Sequence, residues 1–350
     1  MTDSSSSPAN TVSASPEAST PNNSESGNSE PGTSASGNSA SGNAKLMEKP
    51  SLSAMGSAYG YQKRDAEIVD YQIWKLWTPG AAFSVRGPRP AKMAAGNYCT
   101  SLGAAFTFGR FVAHPYAQLL GEALKIPSLN LAFSGVGPSF YNDPKNEPLI
   151  GLVNQSKFVT IAIFSGRSQS NSRFQATDYS QEQYRLEDGS VVPADFAYQQ
   201  LLETADKKTI ESLIAETRFA YIREFSKLLD RIHVPKVLIW FSKRSPDYEE
   251  SYDSLFKLLS GFPHLVNRPM VDALKPLCDA YIEHVDSTGL PQPLISRFTQ
   301  QPVSITRPRD YKKGKIQLKS SQLSENSYYA SPQMHQSLAK KLVTVCQPWA

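Results

Sequence analysis

Five cationic side chains, Arg110, Arg167, Arg173, Lys243 and Arg244, each stand within or just after a segment that follows a short apolar run. A guanidinium is a planar fork that matches carboxylate, phosphate or sulfate through paired hydrogen bonds. Gly103, Gly135, Gly137 and Gly166 occur in the same segments, where a residue without a Cβ lets backbone N–H groups come close to an anion. If these segments converge, they make an anion-binding cleft. A loop arginine taken singly is ordinarily a solvated one.

Other groups near these positions could do chemistry. Ser134, Ser165, Ser168 and Ser331 offer hydroxyls, with Ser134 and Ser168 the candidate nucleophiles, and Asn171 is a candidate oxyanion donor. Taken one at a time, these are the residue types that make turns and caps. His335 is the candidate general base, because a place in the first turn of the last helix disfavours protonation and keeps an imidazole available. His114, His233, His264 and His284 stand outside any motif. Gly135-Val136-Gly137 begins like a dinucleotide loop, but Phe140 occupies the place of its third glycine. The chain has no Gly-x-x-x-x-Gly-Lys loop and no cluster with metal-ligand spacing, so no cofactor is expected.

The elements that must position these residues alternate in type. Strands are expected at Asn97–Gly103, Leu129–Phe133, Phe158–Phe164 (FVTIAIF), Lys236–Phe241 (KVLIWF) and Tyr281–Val285. Helices are expected at Phe111–Lys125, at Thr209–Ile232 and at Ser331–Val345, where Ser331 is the N-cap and Pro332 the first helical residue. Strands apolar throughout and separated by helices argue for a parallel sheet covered on both faces, with ligands beyond the strands' carboxyl ends. The fold class expected is therefore α/β, a flavodoxin-like three-layer sandwich around a central parallel sheet of about five strands. Asp188-Gly189 within Tyr184–Val192 signals a hairpin that could serve as a lid. Pro291–Tyr329 reads as irregular and includes the basic loop 307–315.

Composition bounds the rest. Residues 1–44 contain no aromatic residue, Lys or Arg, and repeat Ser-Gly-Asn at Ser26, Ser36 and Ser41. Such a stretch cannot bury enough apolar surface to offset its ordering entropy, so residues 1–56 are expected to be a disordered tail and 57–350 a single domain. The tail lacks the charge and apolar run of a secretory signal, and no run is long enough to span a bilayer. Cys99, Cys278 and Cys346 are an odd, sparse set that fits a reducing cytoplasm. All 36 Lys and Arg follow residue 44 while four of the 32 acids precede it, leaving a surplus of 8 positive charges on the rest. That surplus favours a small-molecule or glycan ligand that is anionic, and neither a nucleic acid nor a membrane is expected as partner.

GAAFTFGRFVAHPYAQLLGEALKIPSLNLAFSGVGPSF, residues 103–140, resembles the opening of an SGNH or GDSL-type hydrolase. Thr107, Gly109, Asn130, Ser134 and Gly135 stand where that superfamily has its conserved turn and second block, and YYASPQMHQSLAKKL resembles the last block, whose His would be His335. More narrowly, about Tyr59 to Leu342 resembles an uncharacterised bacterial domain family whose relatives in this fold include capsular-polysaccharide biosynthesis proteins. The resemblance implies an SGNH-like α/β fold and a carbohydrate or polysaccharide connection. Together with the strand-tip reading, this puts Gly103, Ala105, Thr107, Arg110, Gly135, Gly166, Arg167, Asn171, Arg173 and Arg244 around the expected ligand. Where the superfamily has Asp-Ser this chain has Ala104-Ala105, Gly166-Arg167-Ser168-Gln169 replaces Gly-x-Asn-Asp, and Pro332 replaces the Asp before the His. Ordinary SGNH ester hydrolysis is therefore disfavoured. Three functions stay open: action on or binding of a carbohydrate or other anionic substrate, a non-catalytic binding module that keeps the cleft, and acyl or sulfuryl transfer to a glycan.

Overall fold

The computed structural model describes residues 52–177, 182–307, 310–312, 315–317 and 321–350. Residues 1–51 of the expected tail and the side chains of the basic loop 307–315 lie outside what is described.

The Val-, Ile- and Leu-rich runs pair as expected. β1 (Cys99–Leu102), β2 (Ser128–Asn130), β3 (Val159–Ala162), β4 (Lys236–Ser242) and β5 (Ala280–Val285) form a five-stranded sheet in the order β2-β1-β3-β4-β5. Every pair in it is parallel. Residues of β1, β3 and β4 are buried on both faces apart from Lys236, which is why these strands show no alternation of polarity. The order is the flavodoxin-like one, with the second strand at an edge and the first beside it. The register pairs Ser101 with Asn130, Leu102 with Ile161, and Ala162 with Ile239, so successive strand ends fall on one edge of the sheet.

Helices cover both faces. α2 (Tyr116–Leu124) and α6 (Pro332–Cys346) pack Leu120, Leu338 and Leu342 on Val237, Ile239 and Phe241. On the opposite face α3 (Glu147–Asn154), α4 (Lys207–Asp230) and α5 (Arg268–Leu274) bring Ile150, Phe225 and Val271 onto Ile161, Leu238 and Trp240. The helical stripe expected over Thr209–Ile232 is α4, begun two residues earlier because Asp206 caps the Thr209 N–H. The helix expected from Phe111 starts instead at Tyr116. Phe111 has φ 65°, and Pro115 has no N–H to donate. Ser331 caps α6 by accepting from the Met334 N–H, with Pro332 at the first helical position.

Additional elements frame the strand tips. α1 (Leu52–Asp65) starts inside the interval expected to be tail, and brings Tyr61 against Phe108. A hairpin of Trp74–Thr78 and Ala81–Val85, turning at Gly80 with φ 79°, buries Leu76, Phe83 and Val85 on the α3–α5 face. The hairpin expected at Tyr184–Val192 pairs Tyr184 with Val192, and leads into the helix Ala194–Thr204. Among the described residues, no helix is long and apolar enough to cross a membrane.

Candidate functional site

The strand tips open into a cavity of about 280 Å³. Its floor is the turn after β1, where Ala104 and Ala105 begin a short helical turn through Phe108. That turn is tight at Gly103, where a Cβ would stand 2.0 Å from Thr107 Oγ1. Arg110 follows it, and Ser165, Arg167 and Ser168 come from the turn after β3. Phe262 and His264 come from the β4–β5 connection, Tyr61 and Arg64 from α1, Glu182 and Asp195 from the hairpin insertion, and Asn326 to Tyr329 from the approach to α6.

Two of the three guanidiniums in the wall are already matched by carboxylates, and the third, exposed Arg64, lies over the Tyr61 ring. Arg110 holds Asp65 through two bonds of 2.9 and 3.1 Å, donates to the Tyr329 hydroxyl at 2.8 Å, and lies over the rings of Tyr61, Phe111 and Tyr329. Arg167 pairs with Glu182 at 3.1 Å and with Asp195. Burial alone would lower its basicity, but the facing Asp195 and Glu182 carboxylates raise it above its ordinary value. Among the described residues, two buried polar atoms of this wall have no partner: Ser165 Oγ and Arg167 Nε. In a folded interior such atoms are the exception, and here both belong to residues that line one cavity, two positions apart in the chain.

His264 is the histidine of this cavity. One ring nitrogen, Nδ1, lies 2.8 Å from the Ser260 carbonyl, which can only accept, so Nδ1 carries the proton. Nε2 then accepts from the Tyr328 hydroxyl at 2.9 Å. Burial, followed by the nearby Arg167 charge, holds the imidazole well below its ordinary pKa and keeps it neutral. Burial likewise raises the Tyr328 phenol. The pair thus fixes where the Tyr328 hydroxyl points.

The other expected site residues are distributed differently. Ala105, Arg110, Arg167 and Ser168 line the cavity, whereas Ser168 spends its hydroxyl on the Ser165 carbonyl at 2.6 Å. Ser134 bonds the Tyr61 hydroxyl behind the wall. Gly103, Thr107, Gly135 and Gly166 support the turns without lining the cavity, Gly166 by donating to the His264 carbonyl at 2.8 Å. Asn171 ties down the insertion through Thr217, Arg173 and Phe174, and Arg173 is exposed. Arg244 is not a ligand fork. Its nitrogens donate to the carbonyls of Gly261, Ser245, Pro263 and Val266, and it stacks on Trp240 and Tyr248. Of the four arginines expected at the cleft, Arg110 and Arg167 line it, each paired with carboxylates, and Arg64 of α1 joins them.

His335 requires the larger correction. It is wholly buried in the α2–α6 layer, stacked on Tyr116, and its Nδ1 accepts from the Tyr116 N–H at 3.0 Å. Burial first, then Arg86 and His284, lowers its pKa to about 3. It does not line the cavity, because the first turn of α6 presents this position to Phe241 and α2 rather than to the strand tips. Restoring the superfamily pattern with Ala104→Asp and Ala105→Ser is thus expected to yield no esterase. Hydrolysis of p-nitrophenyl acetate by that variant, lost on His335→Ala, would show that His335 reaches the turn.

Tyr61, Glu182, Asp195, His264 and Tyr328 were not singled out from the sequence, and only the Tyr328-Tyr329 pair ahead of the last helix marked its place there. No curated protein matches the chain. Among solved structures, it is similar to an acetylxylan esterase from Geobacillus stearothermophilus, a catalytic mutant, at 11% identity and TM-score 0.35, covering 72% of this chain and 95% of that one. It is also similar to the esterase domain of a Rhodothermus marinus protein, at 11% identity and TM-score 0.28, covering 62% and 88% respectively. The family described as a domain of unknown function, DUF6473, matches residues 60–178 and 198–349, most of the chain, and the chain belongs to that family.

Proposed function

We propose that the strand-tip cavity binds an uncharged polyhydroxylated ligand, a sugar residue or short glycan, and does so without a serine nucleophile on the β1 turn. The observation that carries this reading is the pairing of Arg167 with Glu182 and Asp195. A guanidinium already neutralised by two carboxylates has little attraction left for a sulfate or phosphate. Its unpartnered Nε and the free Ser165 hydroxyl still need hydrogen-bond partners, and ligand hydroxyls supply both donor and acceptor. Phe106, Phe262, Tyr328 and Tyr329 give the apolar surface on which the C–H face of a sugar ring rests. Glu182 and Asp195 lie between the two stretches that the family model matches, so this insertion sets the charge of the cavity.

A second reading, acyl or sulfuryl transfer to a glycan hydroxyl, draws on the Tyr328–His264 pair, whose tautomer is fixed by Ser260. The low basicity of His264 weighs against it. We place the chain in a reducing compartment such as the cytoplasm, a reading that its free cysteines, two of them buried, support.

Melting curves in sulfate and in chloride of equal ionic strength test the charge argument. Wild type and Arg167→Ala should respond alike, and the double variant Glu182→Gln with Asp195→Asn should gain a sulfate-specific rise of several degrees that Arg167→Ala abolishes. Sulfate stabilisation of the wild type that depends on Arg167 would refute the uncharged-ligand reading. A neutral glycan panel then identifies the ligand, with binding expected to fall about tenfold on Ser165→Ala, the loss of one or two hydrogen bonds.

A further inference from the structure

A second cavity, of about 540 Å³, lies beside the edge strand β2, bounded by the Arg86–Lys92 segment and the α2–β2 connection. Its walls are unusually stiff and apolar for a surface hollow, since Pro88, Pro90, Pro115, Ile126 and Pro127 line it. Its charge is one-sided. Arg86, Arg89, Lys92 and Lys125 contribute four cations, and none of them has a carboxylate within salt-bridge distance among the described residues. The lone acid in the wall, Glu122, already accepts from Gln118 at 2.8 Å.

Arg86 is the unusual member. It is 2% exposed, and one of its nitrogens donates to the carbonyls of Val112 and Ala113 while Nε and Nη1 have no partner. A buried guanidinium is normally matched by an anion, and leaving it unmatched is costly. Stacking over Tyr71 at 4.6 Å and Phe108 at 5.4 Å offsets part of that cost without neutralising the charge. The result is a fixed positive potential behind an apolar hollow, with three exposed cations, Arg89, Lys92 and Lys125, beside it.

We propose that this cavity is a binding site for an organic anion with a flat or aliphatic apolar body. The body fills the proline-lined hollow, and the anionic group meets Arg89, Lys92 and Lys125 at the mouth. The site is separate from the strand-tip cavity: the two share no lining residue. It therefore stands whether or not that cavity takes a sugar.

Calorimetric titration at low salt with 2-naphthalenesulfonate tests it, with inorganic sulfate and 2-naphthalenemethanol as single-feature controls. The expected result is binding of one naphthalenesulfonate, with each control at least tenfold weaker. Arg89→Glu with Lys125→Glu should weaken binding at least tenfold, Ala91→Trp should fill the hollow and abolish it, and Arg167→Ala should leave it unchanged. Naphthalenesulfonate should also protect Lys92 and Lys125 of the wild type from acetylation by an N-hydroxysuccinimide ester, a readout that needs no variant to fold. Binding that survives both cavity variants, or equal binding of sulfate alone, or acetylation unaffected by the probe, would overturn the proposal.

Discussion

Replacing Asp65 by Ala should destabilise the chain by about 3–5 kcal/mol, the range found when one member of a buried ion pair is removed. Asp65 has no exposed side-chain surface, and its partner Arg110 is 13% exposed. The carboxylate accepts from Arg110 at both oxygens and from the Tyr71 hydroxyl at 2.9 Å. Without it, Arg110 keeps its charge among Tyr61, Phe111 and Tyr329 with only a phenol for a partner, and the end of α1 loses its tie to the β1 turn. The midpoint of urea unfolding should fall by more than that of any single surface substitution. Arg110→Met alone should cost less than Asp65→Ala, and the double variant should recover part of the Asp65→Ala loss, because removing both charges removes the uncompensated one. A loss below about 1 kcal/mol for Asp65→Ala would mean that water reaches the pair, as in an exposed salt bridge.

The second large effect is on acid stability. His335 is neutral in the fold, with its pKa lowered to about 3 by burial and by the facing Arg86 and His284, while the unfolded chain titrates near the ordinary histidine value of about 6.5. The unfolded state therefore binds the proton first as pH falls. Stability contributed by the neutral ring is complete above about pH 6.5 and declines by about 1.4 kcal/mol per pH unit until the folded state also protonates near pH 3. His284, lowered by burial and by Lys341, adds to the same decline, and so does His264. Denaturant melts of wild type and His335→Leu between pH 7.5 and 4 separate these contributions. The variant should be less stable at neutral pH, because the Tyr116 N–H loses its acceptor, at a cost of roughly 1–3 kcal/mol. Its stability should then fall less steeply with acid. Parallel pH profiles for the two proteins would show that His335 does not titrate as a buried neutral group.

The parts of the fold that were legible in the sequence are those governed by local pattern. FVTIAIF and KVLIWF are apolar apart from Thr160 and Lys236, a pattern that suits short strands covered on both faces, and they form interior strands β3 and β4 of the sheet. The stripe over α4 and the Ser331-Pro332 start of α6 were equally local, since a cap is a bond between residues three apart. The Trp74–Val85 hairpin was not read from the residues, although Pro79-Gly80 marks its turn. It covers the sheet at Leu76, Phe83 and Val85 only because the chain folds back over α3–α5.

The candidate site divides in the same way. That Ala104-Ala105 leaves the nucleophile position of the β1 turn without a hydroxyl was decided by the sequence, because a methyl group is no nucleophile wherever it stands. The sequence also decided that the ends of β1 and β3 would carry Arg110, Ser165 and Arg167 to one edge. Which arginines remain available was decided by tertiary structure. Arg244 sits two residues past β4, as expected of a ligand fork, yet four backbone carbonyls take its nitrogens. Arg167 reaches the cavity, but Glu182 and Asp195 meet it there from an insertion 15 and 28 residues further along. His335 and His264 exchanged places for the same reason. A helix position specifies a face only once its neighbours are placed, and α6 turns His335 into the α2 layer while the β4–β5 loop carries His264 to the cavity. Residue type and spacing determine which chemistry a segment could offer. Which side chains face a common space, and with what charge left over, depends on contacts between segments distant in sequence, and only the packed structure holds those contacts.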